Sequence, residues 1–316
     1  MWKPIHLVPP NTRIDFMRFH RFTFILAVIM TLASIGLVAV KGLNFGIDFA
    51  GGILMEVRAP QQPDLADLRS RLGGLGMGEV ALQTFGDPNT VLIRLPQQEG
   101  GEEAQQVAIS KVRETLGADW EYRRTETVGP KVGSELVKNA VIAVALAMAG
   151  IFVYVWIRYA WQFGVNALFA MVHDVVTTLG LFSLFGLQFD LATVAAILTV
   201  AGYSVNDKVV VFDRIRYEMR RYKSMPMGEV INLSVNETLS RTTVTAGLTF
   251  ISVLALFLFG GQVLHGFAIA LMWGIFIGTY SSICIAAAGL FNLRHSKIRG
   301  DDEGASKAGK GATRGA

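Results

Sequence analysis

Leu191-Ala-Thr-Val-Ala-Ala-Ile-Leu-Thr-Val-Ala-Gly-Tyr-Ser-Val-Asn-Asp-Lys-Val-Val-Val-Phe212 contains no proline, and its only charges are Asp207 and Lys208. One helix needs about 20 predominantly apolar residues to cross the hydrocarbon of a bilayer. Five more runs have this character, at 22–40, 136–157, 163–185, 242–259 and 264–290. The chain therefore reads as a six-span α-helical membrane protein, with one span near the N-terminus and five in close succession. The run at 22–40 follows Lys3, Arg13, Arg18 and Arg21, as a signal peptide would, but it is too long and lacks an Ala-x-Ala exit site, so it reads as an uncleaved first span. Composition agrees. Of 316 residues 52% are hydrophobic and 17% charged, with a mean hydropathy of +0.42, which argues against a soluble enzyme. The single cysteine, Cys284, lies in an apolar run and leaves no disulfide framework and no Cys-based zinc site.

Lysine and arginine resist translocation and gather on the cytoplasmic side. With the N-terminus (1–21) inside, the inner segments carry Arg158, then Arg214, Arg216, Arg220, Arg221 and Lys223, then the basic tail, while the short outer loops at 186–190 and 260–262 carry none. Both termini are expected in the cytoplasm, with an amphipathic cytoplasmic loop at 213–240 and a disordered basic tail at 291–316. The segment 41–135 is expected to be a translocated domain. Its periodicity alternates between 2 and 3.6: strands at 52–58, 80–85, 90–95 and 121–128, helices at 64–72 and 102–116, and a turn at Gly86-Asp-Pro-Asn89. The order βαββαβ is that of a small ferredoxin-like α+β domain.

An aspartate near a transmembrane helix centre costs about 2.5–3.5 kcal/mol, so Asp207 calls for a reason. Tyr203 and Ser204, four and three residues earlier, are expected on its face. Asp207 either snorkels to the cytoplasmic end with Lys208 or serves as a carboxylate in a proton path. The fifth span opens with Arg241, which shares a face with Thr238, Thr245 and Ser252 and can meet Asp207 at similar depth; otherwise it is a positive-inside flank. An arginine keeps its proton whereas an aspartate exchanges one, so pairing and parting the two would make a switch. In the third span, His173 and Asp174 point about 100° apart, so at most one of them faces a given partner; they fit a relay or an interhelical hydrogen bond. Gly274-Ile-Phe-Ile-Gly278 allows close helix packing. The stretch 304–311 only approaches a phosphate loop. Without a nucleotide fingerprint, zinc-protease motif or nucleophile elbow, no enzyme activity, cofactor, metal or bound ATP is expected, and the pI of 9.2 does not argue for nucleic acid.

Four stretches together resemble the SecD/SecF family of bacterial protein-export membrane subunits. They are Asn44-Phe-Gly-Ile-Asp-Phe-Ala-Gly-Gly52, His173-Asp174, Gly202-Tyr-Ser-Val-Asn-Asp207 through Asp213-Arg-Ile-Arg216, and Glu237-Thr-Leu-Ser-Arg-Thr242. The resemblance covers nearly the whole chain and favours the SecF branch, since SecD has a longer outer domain and a different fourth-span motif. Lys208 departs from the small polar residue expected there. The resemblance implies a partner SecD, with which the chain forms a structure like the resistance-nodulation-division transporters in the bacterial inner membrane. It also implies association with the SecYEG channel, YajC and YidC, and use of the proton-motive force to draw unfolded exported polypeptide outward. Asp207, Arg241, Asp174 and His173 would form the proton path, with Tyr203, Ser204, Asn206 and Thr245 as its polar face. Gly46, Asp48, Gly51 and Gly52 would be the coupling hinge, with all three glycines expected at backbone angles closed to other residues. Half of a proton-coupled small-solute antiporter and a passive assembly factor remain as alternatives.

Overall fold

Six helices are long and apolar enough to span a bilayer in the computed structural model, which describes Pro9 and residues 12–292. Of the tail expected to be disordered over 291–316, Phe291 and Asn292 instead end a short 3-10 turn, Leu290–Asn292, and 293–316, with the stretch 304–311, lie outside the described residues. The first spanning helix, α1 (His20–Lys41), ends at Gly42 and leads into a two-residue strand β1 (Asn44–Phe45) and a one-turn helix α2 (Ile47–Ala50).

The α+β unit follows as β2 (Gly52–Arg58), α3 (Leu65–Gly73), β3 (Ala81–Phe85), β4 (Asp87–Leu95), α4 (Gly101–Leu116) and β5 (Glu121–Val128). Its sheet has the order β3-β4-β2-β5, antiparallel throughout. Alternation in β2 turns Ile53, Met55 and Val57 to one face, where they meet Leu68 and Leu72 of α3 and Ile109, Val112 and Leu116 of α4. Asp64 caps α3, accepting from the Ala66 amide at 2.7 Å. Strand β4 starts at Asp87, earlier than the turn residues suggest. Pro88 is tolerated because pairing with β2 begins only at Thr90, so no ladder donor is lost.

Five long helices follow among the described residues: α5 (Pro130–Arg158), α6 (Trp161–Phe185), α7 (Leu191–Arg221), α8 (Met227–Phe259) and α9 (His265–Ser281). Between α6 and α7 lies the strand β6 (Gln188–Phe189), and α9 continues into a π-helical segment, Ser282–Ala287. The loop expected at 213–240 is instead helical over most of its length. Asp213–Arg221 contains no glycine or proline and extends α7, and the break comes only at 222–226, where Pro226 stands immediately before the first residue of α8.

About half of the apolar windows of α6, α7 and α9 are buried, against about a tenth or less in α1, α5 and α8. The first three helices form the centre of the bundle, and the others turn apolar faces outward. Gly274 and Gly278 make the α7–α9 contact possible: a Cβ on Gly274 would stand 2.1 Å from Val200 and one on Gly278 2.9 Å from Ser204.

Candidate functional site

The centre of the bundle holds a buried ion pair. Asp174 on α6 and Lys208 on α7 are 1% and 0% exposed, with Lys208 Nζ 3.0 Å from Asp174 Oδ2. Two charges in a low-dielectric interior are tolerated only when paired and hydrogen-bonded. The same oxygen accepts from the hydroxyls of Ser204, at 2.7 Å, and Ser281, at 2.9 Å, while Lys208 also donates to Ser204 and to Ser281. His173 Nδ1 lies 3.3 Å from Asp174 Oδ1, and His173 Nε2 is buried without a hydrogen-bond partner among the described residues. His173 and Asp174 thus both turn inward, the bend of the side chains overcoming the angle between neighbours on the helix.

Asp207 faces the other way, toward α8. The Thr242 hydroxyl donates to Asp207 Oδ1 at 2.5 Å, while Oδ2 is buried with no partner among the described residues. The polar stripe on α7 therefore splits in two. Ser204 belongs to the Asp174–Lys208 cluster, four residues before Lys208 on one face, and Tyr203 packs toward α8 and α9 near Asp207. Asn206 is exposed, and Thr245 is half-buried outside both clusters. The expected Asp207–Arg241 pair is not formed. Arg241 is exposed and makes no ion pair among the described residues, because Thr242, about 100° further round the helix, occupies the inward position.

A second constellation joins the α+β unit to this centre. Strand β1 pairs in parallel with β6, Asn44 opposite Gln188 and Phe45 opposite Phe189, and the Gly46 amide donates to the Phe189 carbonyl at 2.8 Å. Asp48 Oδ2 accepts from the Leu191 amide at 3.0 Å, at the first turn of α7, where Asp190 also caps the helix by accepting from the Thr193 amide. From the sheet, Arg94 of β4 donates to Gln188. Burial pulls the Arg94 guanidinium below its ordinary value, opposed by the Asp190 carboxylate, and it stays a cation. The α+β unit is thus fastened to the N-terminus of the helix that carries Asp207 and Lys208 about 24 Å further on.

The three glycines expected to form a hinge differ in kind. Gly51 and Gly52 have φ of 72° and 114°, and a Cβ on Gly52 would stand 2.3 Å from the Leu95 carbonyl oxygen. Gly46, expected to share that freedom, has an ordinary φ of −68°; its small size matters instead, since a Cβ there would stand 2.9 Å from the Gln188 amide nitrogen.

Sequence reasoning missed Lys208 as a buried partner, along with Ser281, Thr242 and the β1–β6 ladder. The Ser204–Lys208 spacing of four was the available signal for the first.

Residues 108–296 match the family described as "Protein export membrane protein SecD/SecF, C-terminal", and residues 36–61 match the SecD/SecF GG motif. The chain is 43% identical over 286 residues to the protein translocase subunit SecF of Rickettsia bellii (strain OSU 85-389), covering 90% of this chain and 94% of that one. It is 44% identical over 288 residues to that of Rickettsia rickettsii (strain Sheila Smith), covering 90% and 93%. Among solved structures, it is similar to SecDF of Thermus thermophilus, a translocon-associated membrane protein, with 37% identity, a TM-score of 0.81 and 91% of this chain covered. A structure of SecDF in a super-membrane-facing form gives 36% identity, a TM-score of 0.69 and 97% coverage. The chain spans 39% of the former SecDF chain and 41% of the latter, about two fifths in each case. This membrane protein, with its six candidate spans, glycine-pair motif and a match over most of its length, belongs to the SecD/SecF family.

Proposed function

We propose that the chain is a SecF-type accessory subunit of the Sec translocase which, together with SecD, uses the proton-motive force to promote late stages of protein export. It acts as a transporter subunit and not as an enzyme. Asp207 is the proton-exchanging group. The observation that carries this reading is its carboxylate, held by Thr242 through one oxygen while the other lies buried without a hydrogen-bond partner among the described residues. Such an acceptor inside a membrane bundle is costly unless it is used.

The Asp174–Lys208 pair beside it is a fixed electrostatic and packing centre, with His173 attached. Exposed Thr199, Gly202 and Asn206 on α7 leave a small, polar stripe for SecD to cover, and the similarity to SecDF chains more than twice as long supports that missing half. SecYEG is the channel with which the pair associates, with YajC and YidC as further partners and unfolded polypeptide as cargo. The α+β unit is read as a ferredoxin-like domain on the outer face of the inner membrane, in line with its βαββαβ order, and both termini lie in the cytoplasm in line with the distribution of arginine and lysine. Movement of that domain reaches Asp207 through the Asp48 contact and the rigid length of α7.

Asp207→Asn tests the reading, since it keeps size and hydrogen bonding. Late export measured with and without an uncoupler should lose its uncoupler-sensitive part, while the variant remains in the membrane with SecD at normal abundance. Full uncoupler sensitivity at normal abundance would move the proton path to another chain.

A further inference from the structure

Five arginines meet at the end of the bundle remote from the α+β unit. Arg158 closes α5, Arg214, Arg216 and Arg220 lie along the last turns of α7, and Arg241 lies on α8; all five line one open cavity of about 760 Å³. Two carboxylates line it with them, and both are engaged: Asp213 lies 3.5 Å from Arg158 and Glu237 2.5 Å from Arg214. Arg214 also holds the buried Glu218 at 2.8 Å, so the cluster as a whole keeps two more cations than anions. Like charges gathered in a concave site raise the local potential and favour an anion there. Guanidinium forks match the paired oxygens of a phosphate.

The depth of the cavity narrows the ligand further. Trp156 and Trp161 flank Arg158 in sequence and are 51% and 52% exposed, and Tyr217 in the cavity wall is 54% exposed with Arg214 4.9 Å over its ring. Exposed tryptophan and tyrosine on a membrane protein mark the headgroup level. Ile157, beside them, is 80% exposed and turns an apolar surface outward just where the guanidinium cluster ends. A free phosphate would use only the arginines. A phospholipid would use the arginines and the apolar flank together.

We propose that this cavity binds the phosphodiester headgroup of an anionic phospholipid, with its acyl chains lying on the outward face of α5. Basic pockets between membrane helices hold anionic headgroups by the same physics.

The full chain, purified in mild detergent and loaded with dioleoylphosphatidylglycerol, is examined by native mass spectrometry alongside Arg158→Gln/Arg220→Gln and Arg158→Lys/Arg220→Lys double variants. One phosphatidylglycerol should be retained by the native chain in preference to dioleoylphosphatidylcholine. The glutamine pair should weaken that retention roughly 30-fold, the effect of removing two cations near the surface. The lysine pair, which keeps the charge without the fork, should lose less than the glutamine pair, which separates lost charge from misfolding. Arg113→Gln/Arg123→Gln, on the α+β unit, should retain lipid as the native chain does. Equal retention of phosphatidylcholine, an unaffected glutamine pair, or an equal loss in the Arg113/Arg123 control would overturn the proposal. So would displacement of the lipid by inorganic phosphate at matched concentration, which would assign the arginines to a free anion.

Discussion

Asp48 accepts the Leu191 amide at 3.0 Å, so the short link between the first spanning helix and the α+β unit is bonded to the opening turn of the central helix α7. Asp48→Ala should loosen this junction by about 1 kcal/mol, the usual cost of removing a helix-capping carboxylate. The expected result is faster amide exchange at 188–193 and weaker export, with exchange in the sheet β3-β4-β2-β5 unchanged. Asp48→Asn, which keeps an acceptor, should behave nearly as the native chain.

Lys208 and Asp174 should fail separately and succeed together. Lys208→Met leaves a buried carboxylate without its cation and Asp174→Asn leaves a buried ammonium, each costing about 3–5 kcal/mol. The Asp174→Asn/Lys208→Met double variant removes both charges and should recover most of the loss. Thermal unfolding in one detergent, with membrane abundance as a second readout, checks this. A double variant as unstable as the sum of the two would mean that the pair does not act as one unit.

Arg241 stands outside the Asp207 contact in this structure, so a part for it in the proposed proton cycle requires a second conformation. Arg241→Met should lose uncoupler-sensitive export with no change in melting temperature, since no ion pair is broken in the form described. Combined with Asp207→Asn it should be no worse than either single change. An Arg241→Met protein with full export would remove this residue from the mechanism.

Gly46, Gly51 and Gly52 should rank by what a side chain would strike. Gly46→Ala meets only the flexible end of Gln188, at 2.9 Å, and should be mild. Gly51→Ala is forced at φ 72° and meets the Val128 carbonyl at 3.3 Å, costing on the order of 1–2 kcal/mol. Gly52→Ala strikes the Leu95 carbonyl at 2.3 Å and should disturb the sheet itself, visible as lost protection in β2 and β4. Unfolding and hydrogen exchange of the three variants give the order.

The parts of this molecule that were legible in the sequence are those governed by local periodicity. Runs of about 20 apolar residues give helices without reference to neighbours, and alternation over 52–58 turns Ile53, Met55 and Val57 inward whatever they pack against. The site was legible only in its ingredients. Asp174 and Lys208 are 34 residues apart, and their pairing depends on how α6 and α7 are rotated, which no local pattern states. A spacing of three puts Ser204 on the face of Asp207, yet the buried carboxylate of the neighbouring helix draws it to Lys208 instead. Thr242 displaced Arg241 for the same reason: one position on a helix decides which side chain meets a partner. The ladder between Asn44–Phe45 and Gln188–Phe189 is two residues long, too short for alternation to announce it.

The outward apolar faces of α1, α5 and α8 have a thermodynamic consequence. Phe22 is 67% exposed, Ile157 80% and Phe259 86%, so these faces require a nonaqueous surrounding that the chain does not supply. A melting temperature recorded for the isolated chain will therefore change with detergent or lipid, and anything that covers these faces in the folded state alone will raise it with the logarithm of its concentration. Folding free energy here belongs to the chain and its surroundings jointly, so two preparations can be compared only when the solvent of those three helices is held the same.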